Sequence, residues 1–491
     1  MRVGRTAALA VIAIVMATGC SNRTSQTHPT PSVGAVKWTA CGPSGFQCGS
    51  IAVPLDYAHP EAGTINIAVN RKPATDQANR IGSVLTNPGG PGQSGIQFLE
   101  GEASSMSKVN QRFDLIGFDP RGIGQSAPVR CLTGPEEDAF NALDPVLDDP
   151  QEKAAFVQAD KNFAAGCMQR SGKILPFVDT VSAASDMDLI RAALGDDKLT
   201  YLGFSYGTFL GQMYAHLFPT RVRALALDGV LDPSLSANDL LQAQLVGFER
   251  NLQAFLTDCN SRKASTRPCA YAVSGDPATK LNDLMTRVDS TPIPVGGRTL
   301  TRSLAVIGVL LGLYSESFWS TLDAALTATD KGDGALLLRL ADFYLARNAD
   351  GTYDNETDAN YAVNCLDRPV STDIAAYDAL GPVYASVSPL FGPAFQYSNL
   401  ACAYWPVKPT GRVGPLTVDG APPILLIGGT GDPATPYAWA VAVNRQLAGS
   451  VLLTRNGNGH TSYDASPCAH AAIDDYLINL KLPAEGTVCS S

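Results

Sequence analysis

Short continuous apolar runs alternate with amphipathic stretches along much of the chain. From Ile51 to about Asp232, β-branched runs are separated by glycine-rich turns and by segments with helical spacing. Continuous runs of this kind are typical of strands buried on both faces of a parallel sheet. Residues 181–194 have helical apolar spacing and predict a crossover helix before the run at 199–204. The clearest predicted strands are residues 64–70, 81–87, 113–118, 199–204 and 222–227.

The pattern changes twice further along the chain. Helical spacing dominates from about Pro233 to Leu400, as in residues 240–256 and 336–346. A sheet that is interrupted by a helical block and then resumes indicates an α/β fold with an inserted cap. We therefore expect a mostly parallel sheet flanked by helices in residues 38–232 and 401–491, with a mainly helical cap at 233–400. In the last part we expect strands at 423–428 and 450–454, and helices at 437–447 and 469–480.

The first residues have the features of an export signal. Arg2 and Arg5 precede an apolar run at 7–17 that is too short to span a bilayer, and small residues lead to Cys20. Ala-Thr-Gly-Cys at 17–20 resembles a bacterial lipoprotein cleavage box. We expect a signal peptide at 1–19, a lipidated Cys20, and a flexible tether at 20–37. Plain secretion is the alternative.

Charge and composition limit the classes of binding partner that we expect. The formal net charge is −10, and no basic stripe is visible along the sequence. The electrostatic footprint of a nucleic-acid-binding protein is therefore missing, and we expect no nucleic-acid partner. Membrane association is expected through the lipid anchor only, and the sequence leaves the oligomeric state open.

The cysteines predict disulfides. Setting Cys20 aside leaves ten of the eleven cysteines, and an even number in an exported protein favours pairing. The alternative, a metal site, is disfavoured because the chain has no Cys-x-x-Cys pair and only five histidines, so we expect no metal. The sequence does not fix connectivity, but short loops make nearest-neighbour pairing the economical expectation: Cys41–Cys48, Cys131–Cys167, Cys259–Cys269, Cys365–Cys402 and Cys468–Cys489.

A candidate nucleophile lies in Gly-Phe-Ser-Tyr-Gly at 203–207, between a predicted strand and a predicted helix. A sharp strand-to-helix turn exposes a serine hydroxyl at the edge of a sheet, and its crowding demands small residues two positions before and after the serine. This context predicts a nucleophile elbow at Ser205.

An activated serine needs a base, and the base needs a group that orients it. His460 follows the predicted strand at 450–454 on a glycine-rich loop, and we expect it to be the base; His470 is the second choice. Asp432 follows the predicted strand at 423–428 and is the expected orienting carboxylate. The order Ser, Asp, His is the order expected of an α/β-hydrolase sheet.

The tetrahedral intermediate also needs backbone donors for its oxyanion. Tyr206, directly after the nucleophile, supplies one N–H. Residues 87–95, Asn-Pro-Gly-Gly-Pro-Gly-Gln-Ser-Gly, form a loop whose glycines permit close approach to a ligand. Gly90 is the preferred second donor, with Gly89 as the alternative.

The next predicted strand ends in Phe-Asp-Pro-Arg-Gly-Ile-Gly-Gln-Ser at 118–126. Together with the glycine-proline loop, the elbow, Gly-Asp-Pro and Gly-His, this element resembles the prolyl-iminopeptidase-type α/β-hydrolases, and within them the secreted actinobacterial tripeptidyl aminopeptidases and their mycobacterial lipoprotein relatives. Prolyl iminopeptidases usually have His before the two glycines, whereas this chain has Asn87-Pro88, which favours the tripeptidyl branch. We interpret Asp119 and Arg121 as structural.

The resemblance implies cleavage of short peptides from a free N-terminus by an exported serine hydrolase, without a cofactor. A carboxylesterase or lipase with the same triad, acting on small esters, is the first alternative. A cell-surface binding module on an inactive hydrolase scaffold is the second. An exopeptidase must bind the substrate's ammonium group, and carboxylates do this best. Candidates in or near the cap are Asp228, Asp232, Glu249, Glu316 and Asp367.

Overall fold

The computed structural model describes residues 33–411 and 413–490. The expected signal peptide, Cys20 and tether residues 20–32 lie outside the described residues. The strands are β1 Thr39–Cys41, β2 Phe46–Pro54, β3 Thr64–Lys72, β4 Gly82–Asn87, β5 Phe113–Phe118, β6 Leu199–Phe204, β7 Val222–Asp228, β8 Ile293–Val295, β9 Arg298–Leu300, β10 Leu425–Gly431, β11 Val451–Asn458 and β12 Val488–Ser490.

Within these described ranges, ten strands form one sheet in the order β1-β2-β3-β5-β4-β6-β7-β10-β11-β12. The first strands pair antiparallel, and all pairs from β5–β4 to β11–β12 are parallel. The predicted mostly parallel sheet is therefore confirmed. Because β4, β6, β7, β10 and β11 run in one direction, their carboxyl ends meet at one edge of the sheet.

Helices that flank the sheet occur in the sequence both before and after the inserted segment. Before the insertion they are α1 Gly95–Glu102, α2 Ser107–Arg112, α3 Gly134–Asn141, α4 Pro150–Ser171, α5 Thr180–Ala193 and α6 Tyr206–Leu217; after it they are α18 Tyr437–Gln446 and α19 Pro467–Asn479. Short 3₁₀ turns lie at Pro60–Ala62, Gln77–Asn79, Leu175–Phe177 and Pro219–Arg221. The crossover helix predicted at 181–194 is α5, which starts where the Asp179 side chain accepts from Ser182 N at 2.9 Å.

The segment between β7 and β10 is mainly helical. It contains α7 Ala237–Ser261, α8 Ala270–Val273, α9 Pro277–Ser290, α10 Arg302–Gly312, α11 Trp319–Asp330, α12 Ala335–Tyr344, α13 Glu356–Asp367, α14 Ile374–Asp378, α15 Gly381–Val387, α16 Phe391–Phe395 and α17 Leu400–Ala403, with a 3₁₀ turn at Glu316–Phe318. It also contains the antiparallel pair β8–β9, which the sequence pattern does not predict because each strand has only three residues. The core and cap boundaries at 232/233 and 400/401 stay predictions.

The sheet and the insertion are packed around separate hydrophobic clusters. The sheet is packed on both faces, by residues such as Leu210 and Leu225 on one side and Phe113 and Ala226 on the other. The insertion buries its own apolar cluster, chiefly from α7, α9, α10 and α12. The helical block therefore packs around its own core.

Five disulfides link the described cysteines in the expected nearest-neighbour pattern. They are Cys41–Cys48, Cys131–Cys167, Cys259–Cys269, Cys365–Cys402 and Cys468–Cys489. Among the described helices, none combines the length and the apolar character that a bilayer span needs.

Candidate active site

Ser205 lies on a strained turn between β6 and α6. Its φ of 55° and ψ of −124° fall in a region that residues with side chains rarely adopt. A Cβ on Gly203 would stand 2.6 Å from Gly207 O, and one on Gly207 would stand 2.7 Å from Asn87 O. Ser205 N donates to Asp228 O at 2.9 Å. The turn thus excludes side chains at both glycines and holds Ser205 at the carboxyl edge of the sheet.

Asp432 and His460 form a hydrogen-bonded pair on the loops that follow β10 and β11. His460 Nδ1 lies 2.9 Å from each Asp432 carboxylate oxygen. Asp432 is fully buried, and its oxygens also accept from the backbone N–H groups of Ala434, Thr435 and Thr461 at 2.8–3.1 Å. With Nδ1–H donated to Asp432, His460 Nε2 is left free to accept a proton.

The imidazole lies over the strand end next to Ser205. Strands β6 and β7 pair Phe204 with Asp228, and Gly229 follows directly. A Cβ on Gly229 would stand 3.2 Å from His460 Cε1. Because Ser205 N bonds the carbonyl of Asp228, the serine and the imidazole flank the same strand end. The residues predicted as nucleophile, base and orienter are therefore brought to one edge; their catalytic roles stay predictions.

The negative charge of Asp432 and the positive charge of protonated His460 stabilise each other. Burial raises the pKa of the Asp432 carboxyl, but the positive charge and hydrogen bond of His460 outweigh burial and hold it below its usual value. Burial likewise opposes protonation of His460, but the charge and hydrogen bond of Asp432 prevail and raise the pKa of the imidazole. The pair stabilises an imidazolium, the state a base reaches when it has taken a proton.

Three residues support the pair in roles that the sequence does not predict. Thr435 Oγ1 donates to Asp432 Oδ2 at 3.0 Å, and the carbonyl of Tyr314, from the insertion, accepts from His460 N at 2.7 Å. Asp228 Oδ2 accepts from the backbone N–H groups of the two residues after Thr461, at 2.7 and 2.8 Å. Burial raises the pKa of Asp228 to about 6. Asp228 therefore holds the histidine loop, a different role from that of a substrate carboxylate.

The loop of residues 87–95 lies against the elbow. A Cβ on Gly89 would stand 2.9 Å from Ser205 Cβ and 3.0 Å from Tyr206 N. Gly89 N donates to Asn87 Oδ1 at 3.0 Å, which leaves Gly90 as the candidate donor of this loop. Tyr206 begins α6, so its N–H belongs to the amides that have no acceptor within the helix. Both expected oxyanion donors thus flank the nucleophile, and their role stays a prediction.

Asp119 and Arg121 make the contacts of structural residues. Asp119 accepts from Ser94 Oγ at 2.6 Å and from Gln125 N at 2.8 Å, which ties the end of the glycine-rich loop to the next turn. Arg121 makes a buried bidentate pair with Asp186, with both N–O distances 2.7 Å.

The other described histidines are engaged elsewhere. His470, the second choice for the base, stacks on Tyr463 at a centroid distance of 3.9 Å and lies 3.5 Å from Asp474 through Nε2. His59 pairs with Asp56 at an exposed site, and His216 bonds the carbonyl of Thr417.

Two clusters in the described part of the chain have three potential metal ligands each. In one, Cys259 and Cys269 are joined in a disulfide, which removes their thiolates as ligands beside Asp323. In the other, the exposed Asp148 and Asp149 and the half-buried Glu152 lie at the start of α4, where Asp149 caps the helix. Neither lies among the residues around Ser205.

We expect Asp432→Asn to lower kcat about 10³–10⁴-fold, because the amide loses the charge that stabilises the imidazolium and orients the ring. Wild-type activity should rise with pH as His460 loses its proton, with a midpoint above about 6.5, the ordinary histidine value. The midpoint should fall in the variant. Asp474→Asn, which alters the buried carboxylate beside His470, is the matched control. A pH–rate profile that changes in the control but not in Asp432→Asn contradicts the assignment.

Known proteins are similar in sequence to this chain along nearly its whole length. Residues 388–489 match the family model described as TAP-like protein. Serine protease Hip1 of Mycobacterium tuberculosis is 37% identical over 508 residues, covering 98% of this chain and 96% of the relative. Carboxylesterase B of M. tuberculosis is 37% identical over 90% of this chain and 86% of its own length. Tripeptidyl aminopeptidase of Streptomyces lividans is 32% identical over 93% of this chain and 86% of its own length.

The family resemblance carried by the glycine-proline loop, the elbow and the two later loops is confirmed by these full-length relatives. The chain belongs to the family of α/β-hydrolase-type serine hydrolases that includes serine protease Hip1 and tripeptidyl aminopeptidase.

Proposed function

We propose that this protein is an exported serine aminopeptidase that releases di- or tripeptides from free N-termini. The observation that carries the proposal is the buried Asp432–His460 pair, with 2.9 Å contacts, beside the elbow of Ser205. Relatives named serine protease and tripeptidyl aminopeptidase support peptides as the substrate class.

The chemistry follows from the arrangement of these groups. Ser205 Oγ attacks the scissile carbonyl while His460 Nε2 takes its proton, and Asp432 stabilises the imidazolium. The N–H groups of Tyr206 and Gly90 stabilise the oxyanion of the tetrahedral intermediate. His460 then returns the proton to the leaving amine, which leaves an acyl-enzyme. Water, activated by the same imidazole, releases the peptide acid and restores Ser205.

A carboxylesterase is the second candidate, because Carboxylesterase B is 37% identical to this chain, the same percentage as Hip1, over a shorter aligned length. Ester hydrolysis uses the same nucleophile, base and oxyanion donors. The two functions differ in how the substrate's amino end is held, since only an aminopeptidase needs a charge partner for an ammonium group.

We expect a tripeptide anilide with a free N-terminus to be cleaved with a kcat/KM roughly 30-fold or more above that of its N-acetylated form, because acetylation removes a charge that the site pairs. A short acyl ester serves as the third substrate. Ser205→Ala should abolish turnover of all three while retaining the wild-type circular dichroism spectrum and Tm. Equal cleavage of free and blocked peptides, with faster ester hydrolysis, would show an esterase instead.

Export and lipid anchoring through Cys20 are part of the proposal. Five disulfides among the described cysteines support an oxidising compartment, because cytoplasmic thiols are kept reduced. In cells fed an alkyne fatty acid, the wild-type chain should be labelled and membrane-bound, and Cys20→Ser should be neither. A wild-type chain that is released without label would leave plain secretion as the route.

A further inference from the structure

The five cap carboxylates considered from the sequence already have internal partners. Asp228 accepts from the backbone of the histidine loop. Asp232 accepts from Ser234 and Gln446, Glu249 from Ser388 and Gln253, Glu316 from Asn458, and Asp367 from Thr180. These contacts give each of them a structural partner, and none of these contacts is with the glycine-rich loop at 87–95.

Glu356, the first residue of α13, lies against the glycine-rich loop beside the elbow. A Cβ on Gly92 would stand 2.3 Å from the carbonyl oxygen of Glu356. The side-chain amide of Gln93 lies close enough to the Glu356 carboxylate to oppose the rise of its pKa. Asn360, one turn later, donates to Pro91 O at 2.9 Å. The start of α13 is thus fixed to the loop that also carries Gly89 and Gly90.

Two tyrosines connect the surroundings of Glu356 with His460. The ring of Tyr314 meets the imidazole edge-on at a centroid distance of 5.7 Å, and the ring of Tyr344 lies 6.0 Å from that of Tyr314. Burial raises the pKa of the Tyr314 phenol, and the nearby negative charge of Glu356 adds to the rise. Glu356 therefore lies near the tyrosine that packs against the proposed base.

Glu356 is a carboxylate without a cation. Among the described residues, no ion pair joins Glu356 to a Lys, Arg or His. Burial raises the pKa of Glu356 to about 7. The side chain still keeps partial solvent access. A desolvated carboxylate gains most from a positively charged group that reaches it and completes its hydrogen bonds.

The loop geometry suits a short peptide. A Cβ on Gly90 would stand 3.1 Å from Gln93 N, so the loop folds back and keeps Gln93 and its partner Glu356 near the elbow. An extended backbone advances about 3.3 Å per residue, so two or three residues span about 7–10 Å. An acyl group of two or three residues on Ser205 therefore extends its amino end to groups about 7–10 Å from the nucleophile.

We propose that Glu356 binds the α-ammonium group of the peptide substrate and thereby confines cleavage to free N-termini. The inference rests on the proposed aminopeptidase function and assigns a specificity residue within it. The alternative is a structural role, because an acidic residue in the first turn of a helix stabilises that helix through its dipole. The two roles differ in which substrates respond to a substitution.

Glu356→Gln should raise KM for a tripeptide anilide with a free N-terminus roughly 30-fold or more, with a much smaller change in kcat, because the ammonium loses its charge partner. The N-acetylated peptide and a short acyl ester should keep their wild-type kcat/KM. Glu356→Asp should recover part of the lost affinity. Glu249→Gln, a partly buried carboxylate of the insertion with its own partners, is the matched control and should resemble wild type.

The pH profile gives a readout that helix stabilisation would not change. The groups that face Glu356 are Gln93 from the loop, Asp354 on its own segment, and Tyr314 and Tyr344 from the insertion. As pH falls through about 7, Glu356 takes up a proton and loses the charge that binds the ammonium. The kcat/KM for the free peptide divided by that for the ester removes the effect of His460 protonation, because both substrates need the same base. As pH falls, this ratio should decrease in wild type and stay constant in Glu356→Gln.

The outcomes separate this inference from the proposed function. If wild type cleaves free and blocked peptides equally well, the aminopeptidase proposal fails and this assignment fails with it. If wild type discriminates and Glu356→Gln keeps the same discrimination, only the assignment of Glu356 is overturned. A variant that loses activity equally toward all three substrates likewise overturns it, because that loss reports a structural role.

Discussion

The buried hydrogen bond between Asp432 and His460 is the interaction around which the rest of the site is arranged. It joins the loops that follow the paired strands β10 and β11, and the charge of each partner stabilises the charge of the other. Three backbone N–H groups fix the carboxylate, while the carbonyl of Tyr314 fixes the backbone of His460. A pair held from so many directions has little freedom to turn, which is what a preorganised base requires.

The sheet and the insertion contribute different parts of the same site. Parallel strands deliver Ser205, Asp432 and His460 to one edge, because the residue after each strand end emerges on that side. The insertion then supplies Tyr314 against the imidazole and Glu356 against the glycine-rich loop. In our account the sheet performs the acyl transfer, and the insertion decides which peptide ends can reach it.

Sequence patterns predict the elements whose signal is local. The strands at 113–118 and 199–204 match the observed bounds, and the helix predicted at 437–447 differs from α18 by one residue. Nearest-neighbour pairing of the cysteines also agrees with the structure, since short loops favour it. The elbow is predictable because its glycines are required sterically within five residues of chain. By contrast, the contact of Glu356 with Gln93 joins residues far apart in sequence, and an acid at the start of a helix looks like an ordinary dipole partner.

We propose that His460, and not His470, activates Ser205, and the rate of covalent labelling with a fluorophosphonate measures that activation. Intact-mass and peptide analysis should find one label, on Ser205, with none in Ser205→Ala. Labelling should slow about 10²-fold or more in His460→Ala, because the serine loses its general base, and should proceed at the wild-type rate in His470→Ala. Loss of labelling in His470→Ala together with normal labelling in His460→Ala would contradict the account.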